Sequence, residues 1–200
     1  MEAWGARAPP AYPVSAGSGV DLGGFSPPMS IQGNLRRVSA DQLRALLASP
    51  EQVNDIVYPP EDEDLDEDGA SNADHLPLEK NWHGLHFLLT GTAWEGSAPL
   101  NFIAAGGQRV GEEDVGYGPP RAFTAAQVKE ISRALEGVDG ESLRRRFNAR
   151  KMDELEIYPQ GWSDNDDAES VESLLGDFDT LRSFLREGAE QGQALLVYLN

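Results

Sequence analysis

Ala194–Leu199, ALLVYL, is an unbroken apolar run set off by Gly192. It is too short for a helix of ordinary length, and its continuous apolarity is that of a central strand covered on both faces. A central strand needs neighbours. The segment that answers it lies at the other end of the regular text: Ile31–Val38 carries Ile31, Leu35 and Val38 between polar and basic residues and reads as a second strand. Strands at both ends, with mostly helical text between them, predict a sheet closed by long-range pairing. The expected class is α+β, a single domain with a mixed, mostly antiparallel sheet packed with several helices.

The helices announce themselves by their starts. Ser39 and Gln42 form a capping box, Val38 can staple onto Leu43, and Ser49-Pro50 stops the helix, with a further turn or two over Glu51–Tyr58. Thr124 and Gln127 repeat the device, with Val128, Ile131 and Leu135 as the stripe. Asp139–Phe147 reads as another helix, and its Arg144-Arg145-Arg146 as a solvated face or a docking patch. Asp153–Trp162 is expected to be irregular, with Tyr158, Pro159 and Trp162 packed as a plug. Ser163 is expected to cap a helix that Gly176 breaks in two before Gly192.

Leu76–Thr90 reads as one helix, apolar on nearly every side and therefore buried. His83, His86 and Thr90 form a narrow polar stripe on it, Gly84 leaves room for a neighbour, and Gly91 ends it. Leu100–Ala104 and Gln108–Val110 are expected to form a hairpin around Gly106-Gly107, and Arg121–Phe123 a short edge strand.

Thirty-four acids against 16 lysines and arginines give a formal charge of −18. Nucleic acid and anionic membrane need cationic surfaces and are poor partners; the charge is compatible with a basic protein partner, and its plainer reading is simple solubility. With no cysteine, disulfides, thiolate catalysis and Cys-ligated zinc are excluded. No apolar run approaches the ~20 residues that span a bilayer, so a cytoplasmic protein is expected. Met1–Pro28, mostly Ala, Gly, Pro and Ser, reads either as a flexible tail or as text upstream of a true start at Met29. Residues 29–200 are the domain.

Within it, Glu61–Asp74 is an acidic run read as a flexible loop. Asp64, Asp66, Asp68 and Gly69 match the opening of an EF-hand loop, and Asn72 its ninth position. The closing bidentate Glu is replaced by His75, and Ser71 stands where an aliphatic belongs. The expectation is that no metal or other cofactor is bound; Asp64, Asp66 and Asp68 are the residues that would hold one.

From Met29 onward the chain resembles the YfbM-like family of small bacterial proteins. The resemblance rests on Met29–Leu43 (MSIQGNLRRVSADQL), Asn81–Gly91 (NWHGLHFLLTG), Gly111–Arg121 (GEEDVGYGPPR) and Gly188–Leu199 (GAEQGQALLVYL). It implies an α+β fold starting at Met29. The family has no established activity, so no catalytic residue comes with it.

His83 and His86, three apart on a helix, can reach one ligand. Together with carboxylates from Glu112, Glu113 or Asp114, and with Tyr117 and Arg121 nearby in sequence, they would make a small-molecule or metal-binding enzyme site. Against this, no third ligand sits at a recognised spacing, and buried histidines also serve to satisfy backbone or hydroxyl groups. The Gly111–Pro120 loop could cradle an anion through its N–H groups, yet it carries three carboxylates of its own. The reading preferred on these residues is a protein-interaction module that binds a cationic partner, of the type of small acidic proteins that neutralise toxins. A structural module without a pocket is the third reading.

Overall fold

The computed structural model describes residues 30–58 and 73–200. The readings of Met1–Pro28 and of Asp64, Asp66 and Asp68 fall outside the described residues. The apolar run forms β5 (Ala194–Leu199), the middle strand of a five-stranded sheet in the order β2-β1-β5-β4-β3. Along its full length lies β1 (Gly33–Val38), from Gly33 opposite Leu199 to Val38 opposite Ala194. β2 (His75–Glu79) is one edge, β4 (Arg121–Phe123) flanks β5 on its other side, and β3 (Gln108–Arg109) is the second edge. Every neighbouring pair is antiparallel.

The period-two alternation of β5 sorts the interior. Leu195 and Val197 point with Leu35 and Phe123 into the larger core; Ala194, Leu196 and Tyr198 point with Val38 and Ala122 into a smaller one. On the large side pack α3 (Trp82–Thr90), α4 (Ala125–Glu136), α5 (Gly140–Arg146), α6 (Ala149–Glu154) and α7 (Asp167–Gln191). The small side is covered by α1 (Ala40–Ala48), α2 (Val53–Val57) and the loop between β3 and β4, through Val110 and Val115. Both faces are covered by packed side chains, which is why β5 is apolar throughout.

Two of the helix starts are built as read. The Ser39 and Thr124 boxes both have their two reciprocal bonds, worth about 1 kcal/mol each. Gly84 admits its neighbours closely: a Cβ there would lie 3.0 Å from both Leu174 and Trp162. Gly33 is tighter still, since a Cβ would stand 2.7 Å from Trp82 Cγ. Trp82 can approach the strand this closely because that position has no side chain.

Several expectations are corrected. Helix α3 begins at Trp82, not Leu76, because residues 75–79 pair with β1. Leu76 and Leu78 are apolar at period two there, and Pro77 is tolerated because β2 is an edge. Leu100–Ala104 turns rather than extends, and only Gln108–Arg109 pairs with β4, which makes β4 an inner strand. Residues 149–154 form a helix capped by Asn148. The plug beyond it holds Trp162 buried and Tyr158 half-buried but leaves Pro159 exposed. The Asp153 carboxylate ties it by accepting from the Trp162 and Ser163 N–H groups. Asp166, not Ser163, caps the last helix. Gly176 does not break α7, which runs for 25 residues. The cost of an interior glycine, about 1 kcal/mol, is small beside the burial of Leu174, Phe178, Leu181 and Leu185 on its inner face.

Candidate functional site

Every residue of α3 from Trp82 to Leu89 is buried, so the polar stripe read along it faces the protein and not solvent. His83 is 1% and His86 0% exposed. The His83 ring lies against Trp82, 4.7 Å between centroids and 7° from parallel, with Trp94 at 4.4 Å on a tilt. Its two nitrogens are both used by main chain: Nδ1 accepts from the Tyr158 N–H at 2.9 Å, and Nε2 donates to the Ala93 carbonyl at 2.7 Å. That pattern requires the neutral ring with its proton on Nε2. Burial lowers its pKa to about 4, only partly opposed by the Ala93 bond.

His86 sits 6.4 Å from His83, ring to ring. Its pKa is also lowered to about 4, first by burial, then by His83; the Glu95 main chain opposes this, and Arg121 adds a smaller repulsion. The Glu95 group is close enough to favour a protonated ring yet lies outside hydrogen-bond geometry, and neither ring nitrogen has a hydrogen-bond partner. At neutral pH both rings are therefore uncharged. A general base needs access to substrate, and these rings have none.

Arg121 is brought toward His86, but its guanidinium is spent on backbone. It donates to the carbonyls of Phe102, Ala105 and Gly106 through Nη1 and of Ile103 through Nη2. Those bonds hold the turn that replaces the expected hairpin. Burial, with Arg109 adding, lowers its pKa to about 10. Arg146 does a similar job, donating to the Leu88 and Leu89 carbonyls at the end of α3. Its neighbours Arg144 and Arg145 pair outward with Glu141, and Arg144 also with Glu172.

Glu112, Glu113 and Asp114 are not brought to the histidines. Their loop packs on the other face of the sheet, where Val115 enters the small core and Asn54 donates to Glu113. Asp114 Oδ1 accepts from the Gly116 and Gly118 N–H groups at 2.8 and 2.7 Å, so the loop's own carboxylate fills the cradle in which an anion might have been sought. Tyr117 is half-buried, its N–H directed to the Leu199 carbonyl. Among the described residues, no group of three or more His, Asp and Glu side chains is placed to hold a metal ion.

Two arrangements escaped the sequence. Arg37 is 6% exposed; it binds the carboxylates of Asp74 and Glu187 and the carbonyls of Ala73 and Phe184, and lies over the Phe184 ring at 4.4 Å. Its signal was parity: Arg37 shares the inward face of Leu35. The other is a chain of amides on the opposite face, in which His75 Nε2 meets Asn34 Oδ1 at 3.0 Å and Asn34 Nδ2 donates to Asn200 Oδ1 at 2.9 Å. Its members are scattered too widely in sequence for any spacing to reveal.

Fold and interior together define a single-domain α+β protein in which His83, Asp114 and Arg121 are engaged with its own main chain and His86 is enclosed. The chain belongs to the family described as a domain of unknown function, DUF1877, whose model matches residues 29–198. It is similar to Protein YfbM of Escherichia coli strain K12, 28% identical over 176 residues that cover 86% of this chain and 99% of that protein. The crystal structure of YfbM from Escherichia coli, described as a protein of unknown function, is similar with a TM-score of 0.64 and 23% identity. The match covers 84% of this chain and 99% of that one, and at this identity it speaks for the fold. No helix among the described residues is long and apolar enough to cross a membrane.

Proposed function

We propose that this protein acts as an interaction module, binding a basic protein through an acidic face centred on α7. The observation that supports this is the charge of that helix. It carries seven carboxylates against two arginines, and Asp167, Glu169, Glu172, Asp179, Glu187 and Glu190 are exposed. Glu169 and Glu190 make no ion pair among the described residues. The buried Arg37 also fastens Asp74 beside Glu187, which adds a carboxylate to the same side of the molecule. Between β2 and α7 a shallow open groove is lined by Leu76, Phe184, Asp179 and Glu187, so the acidic face is contoured there. A field of this sign steers cationic partners and is screened by salt, the Debye length being about 10 Å at 0.1 M.

The rival reading, a small-molecule or metal-binding enzyme using His83, His86 and the 112–114 carboxylates, requires those groups in one cleft. The imidazoles lie inside one face of the sheet and the carboxylates on the opposite side. The test is capture of proteins from the native host at low ionic strength. A basic protein should be retained, and the isolated pair should weaken at least tenfold between about 0.05 and about 0.5 M salt. The triple variant Glu169→Lys, Asp179→Lys, Glu190→Lys should lose affinity at unchanged melting temperature. Capture of no basic protein, or binding indifferent to salt and to the variant, would remove the proposal.

A further inference from the structure

We propose that the interior seam on α3 between Trp82 and His86 is a hydration site, in which ordered water hydrogen-bonds to the indole N–H and to both ring nitrogens of His86. Trp82 Nε1, His86 Nδ1 and His86 Nε2 are sealed from bulk solvent and have no hydrogen-bond partner in the protein. Both residues are 0% exposed, and their spacing of four puts them on one face of the helix. Leaving three buried polar atoms unpaired is costly, and native interiors avoid it. The neighbouring ring shows the contrast: His83 has main-chain partners for both nitrogens.

The chemistry of the ligand follows from what is left unpaired. A neutral imidazole presents one N–H and one lone pair, and the indole presents a second N–H. An anion can accept but cannot donate to the lone pair. A cation can take the lone pair, but Arg121 sets positive potential at His86, and no carboxylate cluster suited to a metal is present among the described residues. Water both donates and accepts. It would also bridge His86 to the Glu95 main chain, which is near the ring but beyond direct hydrogen-bond geometry, the situation in which an intervening water is the usual answer. A domain of this size holds on the order of six buried waters, and this seam is where the unpaired atoms concentrate.

The site is independent of any partner, so its test is too. A crystal structure of the full chain at about 1.5 Å should show a solvent oxygen within about 3.2 Å of a His86 ring nitrogen and of Trp82 Nε1. A dry seam overturns the proposal. So does a bromide soak that places halide at the rings, since that ligand is an anion. In solution, oxygen-17 relaxation dispersion of the wild-type protein should report long-lived internal water, and His86→Phe should lower that signal by at least one molecule's worth. An unchanged signal in a folded His86→Phe protein refutes the site, and the wild-type crystal decides the matter if that variant does not fold.

Discussion

Acidification from about pH 7.5 to about pH 5 should destabilise this protein through its two buried histidines. Both buried imidazoles have pKa values lowered from 6.5 to about 4, so the fold prefers them neutral while the unfolded chain protonates them near 6.5. The unfolded state then binds more protons throughout this window, and stability falls as pH falls. The contribution is intact above about pH 6.5, declines below it, and is fully lost once pH drops under about 4. The whole gap corresponds to about 3.4 kcal/mol per ring, of which about 2 kcal/mol is lost by pH 5. For the pair, that is about 4 kcal/mol out of the roughly 5–15 kcal/mol that hold an ordinary domain. Asp153, held below the usual carboxylate range chiefly by Ser163, and Glu172, held low by Arg144, act in the same direction. Their effect belongs to lower pH. Urea unfolding at half-unit pH steps measures the slope, which should approach two protons taken up near pH 5. A His75→Gln variant removes the third histidine from the comparison, and NMR titration of the ring carbons assigns the remaining two. A ring titrating at or above pH 6, or stability flat between pH 7 and pH 5, would refute the reasoning.

Gly33→Ala forces a methyl into the Trp82 ring base and should cost about 1–3 kcal/mol in urea unfolding; a cost below about 0.5 kcal/mol would mean the indole has room to retreat. Arg121→Lys keeps the charge but cannot span the carbonyls of Phe102, Ile103, Ala105 and Gly106. It should cost about 2 kcal/mol and speed amide exchange in residues 101–106. Exchange there at the wild-type rate would show that the turn holds without the guanidinium.

The parts of the fold that were legible are those where local chemistry and tertiary demand agree. Ser39 and Thr124 start helices because the cap bonds are made within four residues. ALLVYL is a central strand because both of its faces need apolar cover. The misreadings have a common cause in tertiary override. Leu76 and Leu78 suit a helix stripe as well as a strand face, and only pairing with β1 decides between them. Leu100–Ala104 has strand-forming residues but gives the Phe102 and Ile103 carbonyls to Arg121, 19 and 18 positions away. Gly176 is a local helix breaker overruled by the apolar residues on either side of it. The site was legible only in outline. Helical periodicity placed His83 and His86 on one polar stripe, but not on which side of the sheet the Glu112–Asp114 loop would pack. That depends on Val110 and Val115 entering the small core, a register that no motif encodes.

The resemblance stretches sharpen this into a statement about where function can reside. Met29–Leu43 supplies the bare strand position under Trp82 and the Arg37 clamp. Asn81–Gly91 is the buried strut, fixed at its start by Asn81 donating to Asp177 and at its end by Arg146. Gly111–Arg121 folds its own carboxylate into a cradle of N–H groups and sends its arginine into a turn. Gly188–Leu199 brings the chain into the middle of the sheet. Each of these motifs is specific because its packing is specific. Arg37, His83, Asp114 and Arg121 in them are engaged by partners inside the fold, and His86, which has none, is sealed from solvent. Membership of the family thus carries architecture, and an activity has to come from surface that the architecture leaves open. Among the described residues the open surface of α7 is acidic, with Asp74 beside it, which is why binding and not catalysis is the reading put to the test.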